Sequence, residues 1–317
     1  MTTRAEDLWL TYEGGTGPGA GKHIVLVSGD EEYRSEEALP LLGRILAEAH
    51  GFRATVLFAI DPDSGQVDPE NVHNIPGLEH LASADAMVLF TRFRELPDAQ
   101  MKHFVDYFEA GKPIVAMRTA THAFFYRENL ASPYSHYSFN SETWEGGFGR
   151  QVLGETWVNH HGRHKFEATR GIVEAHNAAH PILRGIDDVF VPTDVYGVRD
   201  LPAGTDVLLR GQVLSGMEPT SPPVDGEQND PMMPLAWVRE YRGTKATNRI
   251  FATTMGSSSD LLSEGFRRLL VNAVFWAAGI ESDIPLRAEV PIPASYRPTF
   301  YGFGDQRRGL RPSDFAP

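Results

Sequence analysis

Four short apolar runs constrain this chain most: HIVLVS at 23–28, ATVLFAI at 54–60, ADAMVLF at 84–90 and PIVAM at 113–117. Apolar runs of this length without alternating polar residues read as strands covered on both faces. Segments with helical periodicity lie between them. SEEALPLLGRILAEAHG (35–51) has Ser35 as an expected N-cap, acids in its first turn and Gly51 as its stop, with Pro40 trimming the start. LPDAQMKHFVDYFEAG (96–111) places Phe104, Val105 and Phe108 on one face, with Gly111 closing it. Strands alternating with helices predict an α/β fold with a mostly parallel sheet covered on both sides. Such sheets carry ligands at the carboxyl ends of their strands. Three polar clusters fall there: SGDEEYR after the first strand, TRFRE after the third and RTATH after the fourth.

The remainder divides by composition. Residues 1–22 end in the glycine-rich GGTGPGAGK, read as a flexible lead-in; it precedes the first strand, so it is no phosphate loop. Residues 23–280 form the main domain. Within it, 127–235 is rich in Gly, Pro, Asn and aromatics and reads as long loop insertions, which are often functional in compact domains. Regularity returns with the strand NRIFATTM (248–255) and a helix from Asp260. That helix carries Leu262, Phe266, Leu269, Leu270, Ala273, Val274 and Ala277 on one stripe, with Gly256 to Ser259 before it as a partial cap and possible cleft lining. Residues 281–317, proline-containing, are expected to lie extended over the body.

A formal net charge of -13 argues against nucleic acid, whose phosphates need clustered Lys and Arg. No segment has the apolar length to span a bilayer, and the N-terminus lacks a signal-peptide core, so a cytoplasmic location is expected. With no cysteine, disulfides, thiolate metal sites and cysteine nucleophiles are excluded.

Chemistry-bearing candidates cluster at the strand ends. Ser28, Glu31, Tyr33 and Arg34 follow the first strand and are candidate ligand contacts, set against a solvated turn and helix cap. Arg118 has the fixed donor fork that clamps carboxylates or sugar oxygens; Thr119 accompanies it, and His122 suits acid or base work near neutral pH. No G-x-S-x-G accompanies MRTATHAF, so a covalent nucleophile there is not expected. NHHGRH offers His160, His161 and His164. Neighbouring histidines in extended chain face opposite ways, which favours hydrogen bonding to a ligand over a metal site; no cofactor is expected, with a divalent metal as the lesser alternative. His180, before a proline, reads as structural. Asp194 and Tyr196, two apart, share a side if extended and suit sugar binding or acid/base work.

Taken in order, KPIVAMRTATHAF, NHHGRH, AHPILRGIDDVF, PTDVYGV and TNRIFATTMGSSSDLLSEGFRRLLVNAVFWAAG resemble the trehalose-utilisation, or ThuA-like, family over roughly residues 23–280. The resemblance implies a three-layer, flavodoxin-like sandwich of the class I glutamine-amidotransferase type. It also implies a role in carbohydrate catabolism on disaccharides or oxidised keto-sugar derivatives. Two departures matter. Many members carry histidine in place of Arg118 and Gly-His where this chain has Gly256-Ser257. The cysteine of amidotransferases is absent, so that activity is excluded.

These readings lead to an enzyme acting on a small carbohydrate by hydrolysis, elimination or isomerisation. His122, His160, His161 and Asp194 are the expected proton-transfer residues. Ser28, Glu31, Tyr33, Arg34, Arg118, Thr119 and Tyr196 are the expected contacts. The alternative is a non-catalytic sugar-binding or regulatory protein on the same fold. Self-association into a homo-oligomer is left open.

Overall fold

The computed structural model describes residues 7–317, in which one ten-stranded sheet organises the chain. Its strands are β1 (Trp9–Tyr12), β2 (His23–Gly29), β3 (Arg53–Leu57), β4 (Ala86–Thr91), β5 (Ile114–Met117), β6 (Thr169–Val173), β7 (Val189–Val191), β8 (Asp206–Val213), β9 (Met233–Arg242) and β10 (Thr247–Thr253). The helices are α1 (Ser35–His50), α2 (Asp98–Glu109) and α3 (Glu264–Ala277). The spatial order is β1-β3-β2-β4-β5-β10-β9-β8-β6-β7.

Period-two alternation sorts the strand side chains into two cores. Ile24, Leu26, Val88, Val115 and Phe251 face α1 and α3, while Val25, Val27, Leu89, Ala116 and Ile250 face α2. Both faces are dry, as the uninterrupted apolar runs require. α1 ends where Gly51 adopts a left-handed φ of 81° and donates its N–H to Ala47.

The mostly parallel, flavodoxin-like sheet expected from the sequence is corrected to a mixed one. Only β3-β2-β4-β5-β10 run parallel to their neighbours. β9, β8, β6 and β7 extend the sheet antiparallel from β10, and β1 pairs antiparallel with β3 at the other edge. The reason is connection length: short links such as that between β9 and β10 make hairpins, whereas parallel pairs need a crossover. The segment read as loop insertions thus supplies strands to the main sheet. Trp9–Tyr12, within the lead-in expected to be flexible, forms an edge strand; residues 1–6 lie outside the described residues.

Several local expectations also change. Pro40 sits inside an unbroken α1, and the N-cap is Arg34 in left-handed conformation instead of Ser35. α3 starts four residues late, capped by the Ser263 hydroxyl, and Leu262 is exposed on a preceding 3-10 turn. Val105 is only half-buried, and Tyr107 joins Phe104 and Phe108 in the core. Residues 281–317 form no strand and bury Ile284, Val290, Tyr296, Tyr301 and Phe315 against α1, α3 and the β2 loop. No helix among the described residues is long and apolar enough to cross a membrane.

Candidate functional site

Because β2, β4, β5 and β10 are parallel, the turns that follow them meet at one edge of the sheet. Asp30 shapes the first turn. One carboxylate oxygen accepts the N–H groups of Glu32 (2.7 Å) and Tyr33 (2.6 Å), the other accepts the Thr119 hydroxyl, and the Ser35 hydroxyl accepts the Asp30 N–H at 2.9 Å. Side-chain capping of this kind locks a turn without regular structure. The turn sends its two glutamates different ways. Glu31 is consumed by Arg92 and Arg94, and Glu32 reaches a cavity.

Arg118 begins the turn after β5 with a φ of 38°, a left-handed conformation rare for a residue with a side chain. The Cα of Gly256 packs so closely that an added Cβ would sit 3.1 Å from the Arg118 Cβ. Arg118 is fully buried, its guanidinium held between the ring faces of Tyr33 (4.2 Å) and Tyr196 (4.1 Å). It donates to the carbonyls of Thr254 (2.7 Å) and Asp194 (3.1 Å), to the Tyr33 hydroxyl (3.1 Å) and to the Asp194 carboxylate (2.9 Å). Its two terminal nitrogens are thus committed within the chain, one of them to Asp194, while Nε has no partner among the described residues.

Asp194 in turn accepts from His160 Nδ1 at 2.6 Å and His164 Nδ1 at 3.0 Å. Burial pushes its carboxyl up, but the Arg118 charge and the two histidine bonds outweigh that and hold it below the ordinary carboxylate range. An ionised carboxylate only accepts, so both rings present an Nδ1–H to it; Nε2 of His164 lies 3.5 Å from the Glu32 carboxylate, and Nε2 of His160 has no partner among the described residues. An isolated bridge between His160 and Tyr196 holds the two segments together.

His160 opens into a cavity of about 50 Å³ shared with Glu32, Arg92, His122, Trp157 and Tyr196. Burial and the Asp30 charge raise the Glu32 carboxyl above its usual range, against opposing pulls from Arg92, Arg118 and His164. Burial, then the charges of Arg92 and Arg118, drive the His122 imidazole well below its usual range, so it is neutral near pH 7. Its Nδ1 lies 3.1 Å from the Thr121 hydroxyl. Arg92 lies 3.6 Å from Glu32, with Phe93 and Phe303 over its guanidinium at 4.4 and 5.1 Å. A larger cavity of about 620 Å³, beside Phe190, Met217, Leu262 and Phe300, contains no histidine, and three of its four acids, Asp187, Asp188 and Glu264 but not Glu218, pair with arginines. Glu32, Arg92, His122 and His160 gather at the smaller one.

Of the residues singled out from the sequence, His122, His160, Asp194, Tyr196, Tyr33 and Arg118 come together. Ser28 bonds Ser35 (2.8 Å), Thr119 holds Asp30, and Arg34 donates to the Glu31 carbonyl; these support the turn without entering the cavity. His161 turns away, its Nε2 2.8 Å from the Gln228 carbonyl. Gly256 to Ser259 lie beneath Arg118 and around Asp260, outside the cavity. Sequence reasoning missed Glu32, Arg92, Trp157 and Tyr301. The TRFRE cluster pointed at Arg92, but nothing local distinguishes Glu32 from Glu31. His164 was in view as part of NHHGRH. His160, His164 and Asp194 also present donor atoms within 4.8 Å of one another, a set that could hold a divalent metal.

The sequence profile of the ThuA family, described as trehalose utilisation, matches residues 24–277. Among solved structures, the fold is similar to a ThuA-like protein from Parabacteroides merdae, at 14% identity and a TM-score of 0.51 over 89% of this chain and 97% of that one. It is also similar to a ThuA-like protein from Bacteroides uniformis, at 16% identity and a TM-score of 0.50 over 83% and 93%. No curated protein matches the chain significantly.

Proposed function

Since the chain belongs to the ThuA (trehalose utilisation) family, we propose that it is a cytoplasmic enzyme of carbohydrate catabolism acting on a disaccharide or keto-sugar derivative. It works by general acid/base chemistry on an amidotransferase-like scaffold without the cysteine. The observation that carries this reading is a pair of proton-transfer groups facing one cavity. His160, with Nδ1 committed to ionised Asp194, offers Nε2 as the base, and Glu32, raised by burial, is the acid. In an elimination from a keto-sugar, His160 Nε2 takes the proton next to the carbonyl. The glycosidic C–O bond breaks as a C=C bond forms, and Glu32 protonates the departing oxygen. In hydrolysis the same base activates water. Arg92 and the neutral His122 ring hold substrate oxygens in either case.

Turnover of oxidised and unoxidised disaccharides tests the proposal. His160→Ala and Glu32→Gln should each lower kcat by about 10²-fold or more, with Tm little changed; full activity in both variants would remove the reading.

The three donor atoms of His160, His164 and Asp194 favour one second reading, a metal-dependent enzyme. Arg118, 2.9 Å from Asp194, already supplies the positive charge a cation would bring. We therefore expect no stoichiometric metal in purified protein by elemental analysis. About one ion per chain, lost in His164→Ala, would reverse the preference.

A further inference from the structure

We propose that the site has two parts: the acid/base cavity takes the reacting edge of one sugar ring, and a groove beyond Trp157 takes a second, uncharged ring. The proposal rests on the carbohydrate reading above and adds to it where the rest of the substrate lies and which charge it carries.

Size is the first argument. The catalytic cavity, about 50 Å³, holds only a few water-sized groups, since one water needs about 10–15 Å³ of such space. A hydroxyl or carbonyl edge fits there; a whole disaccharide does not. The groove is about 480 Å³, within the range of small-molecule sites. Trp157 borders both spaces, its ring 5.8 Å from His122 and 6.0 Å from His160. The two spaces are therefore neighbours at Trp157, and on this proposal a ligand reacting at His160 extends past its ring toward the groove. The half-buried indole offers an apolar platform of the kind a sugar ring covers with its C–H face.

Charge and hydrogen bonding decide the ligand class. Asn140, Glu142 and Glu145 line the groove, and their side chains have no hydrogen-bond or ion-pair partner among the described residues. Arg150, also in the groove, is held by Glu155 at 2.5 Å and lies 3.9 Å from Asp200. The groove thus offers two uncommitted carboxylates, an uncommitted amide and no uncommitted cation. Carboxylates and amides accept hydroxyl protons well, and the same carboxylates repel a phosphate or sugar acid. A neutral, polyhydroxylated ring fits; a phosphorylated one is rejected.

The test is binding to the intact protein by calorimetry, with trehalose, maltose, glucose and trehalose 6-phosphate as probes. Trehalose or maltose should bind about tenfold or more tighter than glucose, and trehalose 6-phosphate weakest of the disaccharides. The triple variant Asn140→Ala, Glu142→Ala, Glu145→Ala should reduce disaccharide affinity to that of glucose while leaving glucose binding unchanged. Glu142→Lys with Glu145→Lys should invert the order, favouring trehalose 6-phosphate. These positions are exposed or in the groove, so folding is not at stake; unchanged Tm checks this. Equal affinity for glucose and disaccharides, unaltered in all groove variants, would overturn the groove while leaving the acid/base site standing. No binding of any saccharide would overturn both.

Discussion

At the scale of single residues, neighbouring acids in one turn meet opposite fates. Asp30 accepts backbone and threonine donors, Glu31 is neutralised by two arginines, Glu32 faces the cavity, and Glu36 is fully buried with neither side-chain oxygen hydrogen-bonded among the described residues. Burial pushes the Glu36 carboxyl up to about 8. The sign follows from linkage: a carboxyl raised in the folded state binds its proton more tightly there than unfolded. Stability then falls as pH rises from about 4.5 to about 8 and stays low above. Glu36→Gln removes the titration. It should raise stability by a few kcal/mol, about 3–5, at pH 8.5 and change it little at pH 4. Urea denaturation at the two pH values measures this, and an equal effect at both would show that Glu36 does not titrate. Asp194 behaves the other way: its depressed pKa contributes stability above the unfolded carboxylate range, lost as pH falls through the folded value.

At the scale of elements, the C-terminal segment matters most. It lies beyond the residues matched to the family, 24–277, yet reaches the site. Gly302 donates its N–H to the Glu32 carbonyl at 2.8 Å, and the Thr299 N–H and hydroxyl both donate to the Glu37 carboxylate. Tyr301 packs 5.3 Å from the rings of both Tyr33 and His164. Phe303, 60% exposed, presents its ring to the Arg92 guanidinium at 5.1 Å. Exposure means that Phe303→Ala should alter stability by no more than about 0.5 kcal/mol. Losing one aromatic wall frees Arg92, so KM for the carbohydrate should rise about three- to tenfold with kcat less affected. Unchanged KM would confine the segment to a structural role. The geometry of α3 is set as locally: its second residue is Gly265, where a Cβ would lie 1.8 Å from the Asp188 carbonyl, so no other residue lets α3 dock so closely on the chain before β7.

At the scale of the whole molecule, the site straddles the junction of two sheet halves. Glu32, Arg92 and His122 follow parallel strands, while His160 and Asp194 come from the 127–235 segment whose strands run antiparallel. The halves share one hydrogen-bonded sheet through β10 and β9. The core beneath α1 and α3 includes Leu26 and Phe251 from one half and Leu208 and Leu235 from the other. Neither half can open without exposing that core. Tryptophan fluorescence, far-UV circular dichroism and calorimetry should therefore report a single coincident transition. Separated midpoints would show that the antiparallel half unfolds as its own unit.

The residue pattern alone determined the parallel half, its flanking helices and the edge where polar turns gather, because strand and helix periodicities are local and repeat over several residues. The absence of thiol chemistry needed only composition. Tertiary structure decided the rest. Whether Glu31 or Glu32 meets the cavity depends on Asp30 and Thr119 locking one turn, and Thr119 is far away in the chain. That Arg118 is paired, and His160 oriented, depends on Asp194, which reaches both across separations no periodicity records. Side chains in irregular turns point where distant partners hold them, and those partners exist only once the chain has folded.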